Sequence, residues 1–258
     1  MNIEHISVSR ALVYDKCQQE YKYKYHLKIK SPEPEKPWFK YGKAIHTIAE
    51  KYVEGKGEIQ INEIANDVLN KKIPIERNWN GEDVFCPNLT KSYKDRFPTH
   101  IKNIEKITKN FGFDGRTELP FNYDLDPPNN KIVKGFIDRL IVKGDLWIIL
   151  DYKTTKPGAW RKDENSIKHD LQLRMYAKVV NKTFNVDPKN IRGALFYLDD
   201  AKLMPTGFTQ ESIDSAEQEL LNAFNNIKEK DPATVVGNFG DHCGLCDYKT
   251  ICPYYSIS

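Results

Sequence analysis

Apolar positions along the chain change their spacing several times, and each change marks an element. After Ser7-Val8-Ser9-Arg10, which reads as a helix start, Leu12, Val13, Cys17 and Tyr21 recur at helical spacing. Ser31-Pro32-Glu33-Pro34-Glu35-Lys36-Pro37 reads as a stiff linker, because each proline fixes φ and removes a backbone donor. Helices are predicted over Gly42–Tyr52, with Ile45, Ile48, Ala49 and Tyr52 on one face, and over Ile61–Asn70. The stretch 74–97 is mixed, aromatic and proline-containing, follows neither period, and reads as an insertion or loop. Pro98–Phe111 is again helical, with Ile101, Ile104 and Ile107 inward and several lysines outward.

The pattern then becomes that of strands. One is predicted over Thr117–Tyr123. Lys131–Lys143 is rich in Ile, Val and Phe, Gly144-Asp145 interrupts it, and Leu146–Leu150 is strongly apolar, so the pair reads as a hairpin. A helix over Leu171–Lys182, a last strand over Ile191–Leu198 and an amphipathic helix over Ile213–Lys228 follow, the last with Leu220, Leu221, Phe224 and Ile227 as its stripe. There is no internal repeat and no low-complexity tract. Strands and helices in this mixture predict an α/β fold.

Composition narrows the class. The chain has 258 residues, 40% of them hydrophobic, enough for one large domain or a domain with an accessory lobe. Charged residues make up 29% and the formal net charge is only +3, so a local basic groove matters more than the total. No apolar run approaches membrane-spanning length, and the N-terminus lacks an apolar signal-peptide core; the expectation is a soluble, cytoplasmic protein with no membrane partner. Five cysteines, three of them crowded near the C-terminus, point away from a secreted disulfide scaffold and toward a metal centre in a reducing compartment.

The chemistry concentrates in the hairpin. Gly135-Phe136-Ile137-Asp138-Arg139 puts a carboxylate mid-way along the first strand. Asp151-Tyr152-Lys153 ends the second, with Asp151 and Lys153 on the same side because one residue separates them. A carboxylate directly after Trp147-Ile148-Ile149-Leu150 is costly unless something pairs with it. Alone, an Asp-x-Lys triplet is a common strand-end ion pair; the Gly-x-x-Asp-Arg strand beside it gives it meaning. Two carboxylates can hold Mg²⁺ or Mn²⁺, and a lysine can offset charge on a phosphate oxygen or orient a water, which is the equipment of a metal-dependent phosphodiesterase.

Further residues join in order. Gly42-Lys43-Ala44-Ile45-His46 places a histidine one turn into a helix, and Gln172 and Tyr176 stand four apart on another. The ordered set His, Asp, Asp-x-Lys, Gln-x-x-x-Tyr resembles the RecB-like branch of the PD-(D/E)XK nucleases. Cys243-x-x-Cys246-x5-Cys252-Pro253, with Cys17 far upstream, resembles the subset that carries an iron–sulfur cluster, to which AddB-type nuclease domains and CRISPR-associated RecB-like exonucleases belong. The resemblance runs from about Ser7 to Pro253. It implies a restriction-endonuclease-like core, a mixed central sheet flanked by helices, with a helical N-terminal part and the cysteine cluster at the C-terminus. It implies one nuclease domain over 1–258, in which 1–30 and 239–258 form a metal-cluster staple, 31–115 a helical insertion region and 116–200 the catalytic core.

The resemblance also assigns roles. His46, Asp138, Asp151 and the backbone carbonyl of Tyr152 would bind Mg²⁺ or Mn²⁺, with Glu118 a candidate ligand of a second ion. Lys153 would orient or activate the attacking water, and Gln172 and Tyr176 would support the site and the scissile phosphate. Cys17, Cys243, Cys246 and Cys252 would hold a [4Fe-4S] cluster; zinc on the same thiolates, or using His242, is the alternative that spacing leaves open. Many relatives have Cys-Pro at the first cysteine, whereas Gln18 follows Cys17 here. Cys86 has no partner pattern and reads as a plain thiol. Lys22 and Lys24 among tyrosines, and Arg161 in Trp160-Arg161-Lys162 with Lys156 nearby, are candidate DNA contacts. The implied activity is a DNA exonuclease that prefers single-stranded substrates or free ends, in a setting of DNA repair or recombination with replication or recombination proteins as partners. A non-catalytic DNA-binding module on the same fold, or an RNA-processing nuclease, is the rival.

Overall fold

The computed structural model describes residues 1, 3–33, 36–72, 76–77, 83–84, 87–158 and 160–255. Cys86 lies outside the described residues. In chain order the elements are β1 (His5–Ile6), α1 (Val8–Lys16), α2 (Gln18–Tyr21), α3 (Pro37–Glu54), α4 (Ile61–Lys72), β2 (Glu76–Arg77), β3 (Asp83–Val84), α5 (Pro87–Phe111), β4 (Arg116–Asp126), β5 (Lys131–Lys143), β6 (Leu146–Lys153), α6 (Leu171–Phe184), β7 (Ile191–Tyr197), β8 (Lys202–Gly207) and α7 (Gln210–Glu229). The class is α/β with a mixed sheet, as the resemblance implied. Among the described residues no helix is long and apolar enough to cross a membrane.

The chain forms two compact units. The first comprises Met1–Glu35, Pro120–Gly135 and Gln210–Ser258. Its β1 pairs in parallel with the start of β5, His5 opposite Ile132 and Ile6 opposite Val133. Ser7 caps α1, its hydroxyl accepting the Arg10 N–H. The buried face of α1 is Val8, Ala11 and Tyr14, whereas Leu12 is 53% exposed. The helix does not run on to Tyr21: Cys17 adopts an extended backbone, and α2 starts after it. The helical spacing of Leu12, Val13, Cys17 and Tyr21 therefore spans a break that turns Cys17 inward. Gly135 is where glycine is required: a β-carbon there would stand 2.6 Å from the Phe121 ring.

The second unit comprises Lys36–Leu119 and Phe136–Thr209. Its strands run β5-β6-β7-β8. The β5–β6 pair is antiparallel, with Arg139 opposite Leu150. The β6–β7 pair is parallel, with Asp151 opposite Leu195 and Lys153 opposite Tyr197. The β7–β8 pair is antiparallel. The core joins the apolar faces of α3 (Ile45, Ile48, Tyr52), α4 (Ile64, Val68) and α5 (Ile101, Ile104) to Ile141, Leu150 and Phe196 of the sheet. Each helix presents its stripe at 3.6-residue spacing.

Three predicted boundaries shift. The helix expected from Pro98 starts at Pro87 and keeps Pro98 in its interior. Proline removes one helical hydrogen bond and crowds the carbonyl four residues back, but Pro98 and Lys94 are both exposed, so water can serve that carbonyl. The described parts of 74–97 hold the short β2–β3 pair and the first turns of α5. Ile191–Tyr197 is not the last strand: β8 follows across a tight turn, its alternation masked by Lys202, Pro205 and Gly207.

Candidate active site

Strands β5 and β6 and helix α3 bring the predicted residues together within the second unit. His46 lies on α3, its Nδ1 3.3 Å from Asp138 Oδ2 and 3.7 Å from Glu118 Oε1. Its Nε2 lies 3.1 Å from the Tyr152 carbonyl oxygen. Asp138 Oδ2 accepts the Tyr152 N–H at 3.0 Å, a bond from one strand to its neighbour that fixes the carboxylate's rotamer. Among the described residues, His46, Glu118 and Asp138 are the one set of three or more His, Cys, Asp or Glu whose ligand atoms all lie within 4.8 Å of each other. Glu118 thus stands with His46 and Asp138 rather than apart from them. It gets there through unusual backbone: its φ is +42°, the left-handed region, inside strand β4. A side chain in that region costs on the order of 1–2 kcal/mol, and nothing in the sequence around Glu118 announces it.

Asp151 is 1% exposed and is held from two sides. Lys153 Nζ is 2.6 Å from Oδ2, and the Gln172 amide donates to Oδ1 at 3.1 Å. The same amide donates to the Tyr176 hydroxyl at 2.8 Å, so Gln172 bridges the two. Asp170 caps α6 by accepting the Leu173 N–H, which aims the first turn of that helix, and with it Gln172, at β6.

The electrostatics describe a buried excess of negative charge. Burial and then the neighbouring charge of Asp151 push the Asp138 carboxyl up to about 7, against the pull of His46, Lys153 and the Tyr152 N–H. Burial disfavours a charged His46, but Asp138, the Glu118 contact and Asp151 outweigh it and raise the imidazole to about 9. Lys153 behaves likewise: burial opposes its charge, and Asp151, Asp138 and Asp170 hold it protonated well above the usual lysine range. A cluster that retains protons to relieve its own repulsion suits a divalent cation. The donors, one imidazole and carboxylate oxygens, fit Mg²⁺ or Mn²⁺, the imidazole tilting the preference toward Mn²⁺.

A second network, absent from the sequence reading, braces the segment after Lys153. Arg96 of α5 donates to both oxygens of Asp199, at 2.6 and 2.5 Å, and to the Thr154 carbonyl at 2.5 Å. His100 Nε2 reaches Asp199 at 3.1 Å, and the Tyr41 hydroxyl meets its Nδ1 at 2.8 Å. Arg161 donates to both oxygens of Asp200 and to the Thr155 carbonyl, and stacks 4.3 Å from the Tyr197 ring. Leu198-Asp199-Asp200, acids ending an apolar strand, carries the same signal that singled out Asp151.

In the first unit, Cys17, Cys243, Cys246 and Cys252 line one small cavity of about 20 Å³. The Tyr248 N–H donates to Cys246 Sγ at 3.4 Å, and burial pushes the Cys246 thiol up to about 11. Of the candidate DNA contacts, Lys22 donates to the Pro232 carbonyl at 2.7 Å, Lys24 lies 5.7 Å from the Tyr25 ring centroid, and Arg161 is engaged as described.

Three comparisons bear on this arrangement. The sequence profile of the PD-(D/E)XK nuclease superfamily matches residues 5–253. No curated protein matches the chain. Among solved structures, the "Putative exonuclease" of Eubacterium rectale is similar over 96% of this chain and 89% of its own, at 13% identity and a TM-score of 0.50. The protein SSO0001 is similar over 98% of this chain and 88% of its own, at 14% identity and a TM-score of 0.46.

Proposed function

The chain belongs to the PD-(D/E)XK nuclease superfamily, and from that premise we propose that it is a metal-dependent deoxyribonuclease of the RecB-like branch, acting as an exonuclease on single-stranded DNA or free ends. The observation that carries the reading is the convergence of His46, Glu118 and Asp138 within 4.8 Å, beside the Asp151–Lys153 pair. The end preference rests on the RecB-like order of the motifs.

His46, Glu118 and Asp138 are the proposed ligands of Mg²⁺ or Mn²⁺, with Asp151 and the Tyr152 carbonyl beside them. When bound, such a cation makes water more acidic and offsets charge on the phosphoryl oxygens. The chain's own residues do the rest. Lys153, held by Asp151, would orient or activate the attacking water and offset charge on a phosphate oxygen. Asp151 fixes where that ammonium points. Gln172 fixes Asp151, and Tyr176 takes the second amide bond, which keeps Gln172 from turning away. The Tyr152 N–H keeps Asp138 turned toward His46.

We also propose that the four cysteines hold a [4Fe-4S] cluster that staples 1–30 to 239–258. Their placement around one cavity supports a shared centre. The choice of the iron–sulfur cluster over zinc rests on the resemblance of the Cys243-x-x-Cys246-x5-Cys252-Pro253 pattern.

The test is cleavage of end-labelled single-stranded DNA, duplex DNA and RNA with Mg²⁺, Mn²⁺ or EDTA, for the wild type and Asp138→Asn. The reading expects cation-dependent shortening of single-stranded DNA that the variant loses. Binding without cleavage in every condition would favour a non-catalytic module, and preference for RNA would favour an RNA-processing enzyme.

A further inference from the structure

Trp160 is 85% exposed, far beyond any other large apolar side chain among the described residues. A bare indole is a poor surface residue unless something covers it. Several described residues before and after it in the sequence are tied to the rest of the second unit. Thr154 and Thr155, just after Lys153, have their carbonyls taken by Arg96 and Arg161. Lys156 donates to the Ser92 hydroxyl at 2.9 Å. On the other side of Trp160, Arg161 clasps Asp200, and the Lys162 N–H donates to the Tyr197 hydroxyl at 3.0 Å. Tyr197 is the strand partner of Lys153. The chain thus leaves Lys153, and at Arg161 and Lys162 it meets the residue paired with it, with the exposed indole directly before them in the sequence.

Charge agrees with the placement. Lys156 and Lys162, before and after Trp160 in the sequence, are both exposed. Lys162 Nζ lies 3.5 Å from Asp170, whose charge also acts on Lys153. An exposed aromatic side chain in a lysine-bearing loop that follows the Asp151–Lys153 strand matches one ligand chemistry: an unpaired nucleobase with its phosphates. A base inside a duplex has its faces covered by its neighbours and cannot use the platform.

We infer that Trp160 is a stacking platform for an unpaired base of the strand that enters the active site, and that it is a source of preference for single-stranded substrate. The inference rests on the nucleic-acid reading of the Asp138–Asp151 site. Arg161 serves as a positioning residue for the platform through Asp200 and Tyr197.

The experiment measures binding of full-length wild type, Trp160→Ala and Trp160→Phe to a fluorescent oligothymidine without divalent cation, and to an abasic strand of equal length. Cleavage of oligothymidine by wild type with Mn²⁺ is followed in parallel. Trp160→Ala is expected to lose roughly 5- to 150-fold in affinity for oligothymidine, the span of one lost base–aromatic stack. Trp160→Phe is expected to keep most of the affinity, and all three proteins to bind the abasic strand alike. Unchanged oligothymidine affinity in Trp160→Ala, or an equal loss on both strands, overturns the inference. Absence of cleavage by wild type instead counts against the nuclease reading, and the binding comparison still decides the role of Trp160.

Discussion

Lys153 and Asp151 project from the same side of β6, and the lysine ammonium lies 2.6 Å from a carboxylate that is 1% exposed. The carboxylate is buried while the lysine side chain is 32% exposed, so Asp151 anchors an ammonium that a ligand can still reach.

Lys153→Met should therefore separate chemistry from binding. The cleavage rate at saturating DNA should fall about 10²- to 10⁴-fold, the range for losing one positioned proton donor. DNA affinity should change little. Single-turnover cleavage beside anisotropy binding checks this, and a variant that cleaves at the wild-type rate removes Lys153 from the reaction.

Cation binding should release protons. His46, raised to about 9, carries a proton at neutral pH that it must lose to act as a ligand, and Asp138, raised to about 7, is partly protonated there. Both shifts are upward, so Mn²⁺ affinity should rise with pH from about 7 to about 9 and level off above. Calorimetry in buffers of different ionisation enthalpy reads the released protons. Glu118→Gln should weaken Mn²⁺ binding, which sets it apart from a merely solvated strand glutamate.

Asp199 joins Arg96, His100 and Arg161 just past the end of β7, the strand paired with β6. Burial works against its charge, but the Arg96 and His100 contacts hold its carboxyl below the ordinary aspartate range. A depressed value means that the network stabilises the fold above the unfolded aspartate value of about 3.9, and that this stabilisation is lost as pH falls through the lower folded value. Asp199→Asn should cost about 2 kcal/mol at pH 7, and the gap to wild type should begin to narrow only as pH falls below about 3.9. Urea unfolding across that range measures it; a gap independent of pH would mean that the charge of Asp199 is not what holds the network.

Protein purified without oxygen should be coloured and hold about four irons per chain. Cys246→Ser should lose both colour and iron and unfold at lower denaturant. A colourless protein with one zinc would replace the cluster by a zinc knuckle.

Much of the site was legible because its chemistry violates local rules. A carboxylate after Trp147-Ile148-Ile149-Leu150 is a costly placement, and Asp151 is indeed buried and paired with Lys153; His46 was legible only through its place in the ordered motif set, and the structure sets it against Asp138 and Glu118. What escaped reading depends on tertiary contact. The left-handed backbone of Glu118 leaves no mark in composition. Arg139, beside Asp138, is completely buried and donates to the Gly112 carbonyl, where strand alternation gives no reason for a cation in the core. The Arg96–Asp199 contact joins residues distant in sequence. Pro98, read as a helix start, lies inside α5, where its exposed side tolerates the missing bond.

The central claim is that one divalent ion sits against the Asp138 carboxylate and serves the reaction. Crystals of active protein grown with Mn²⁺ test it through anomalous scattering. The account predicts a peak bonded to His46, Glu118 and Asp138 on the Asp151 side of β5. A protein that cleaves DNA while its manganese lies elsewhere would contradict it.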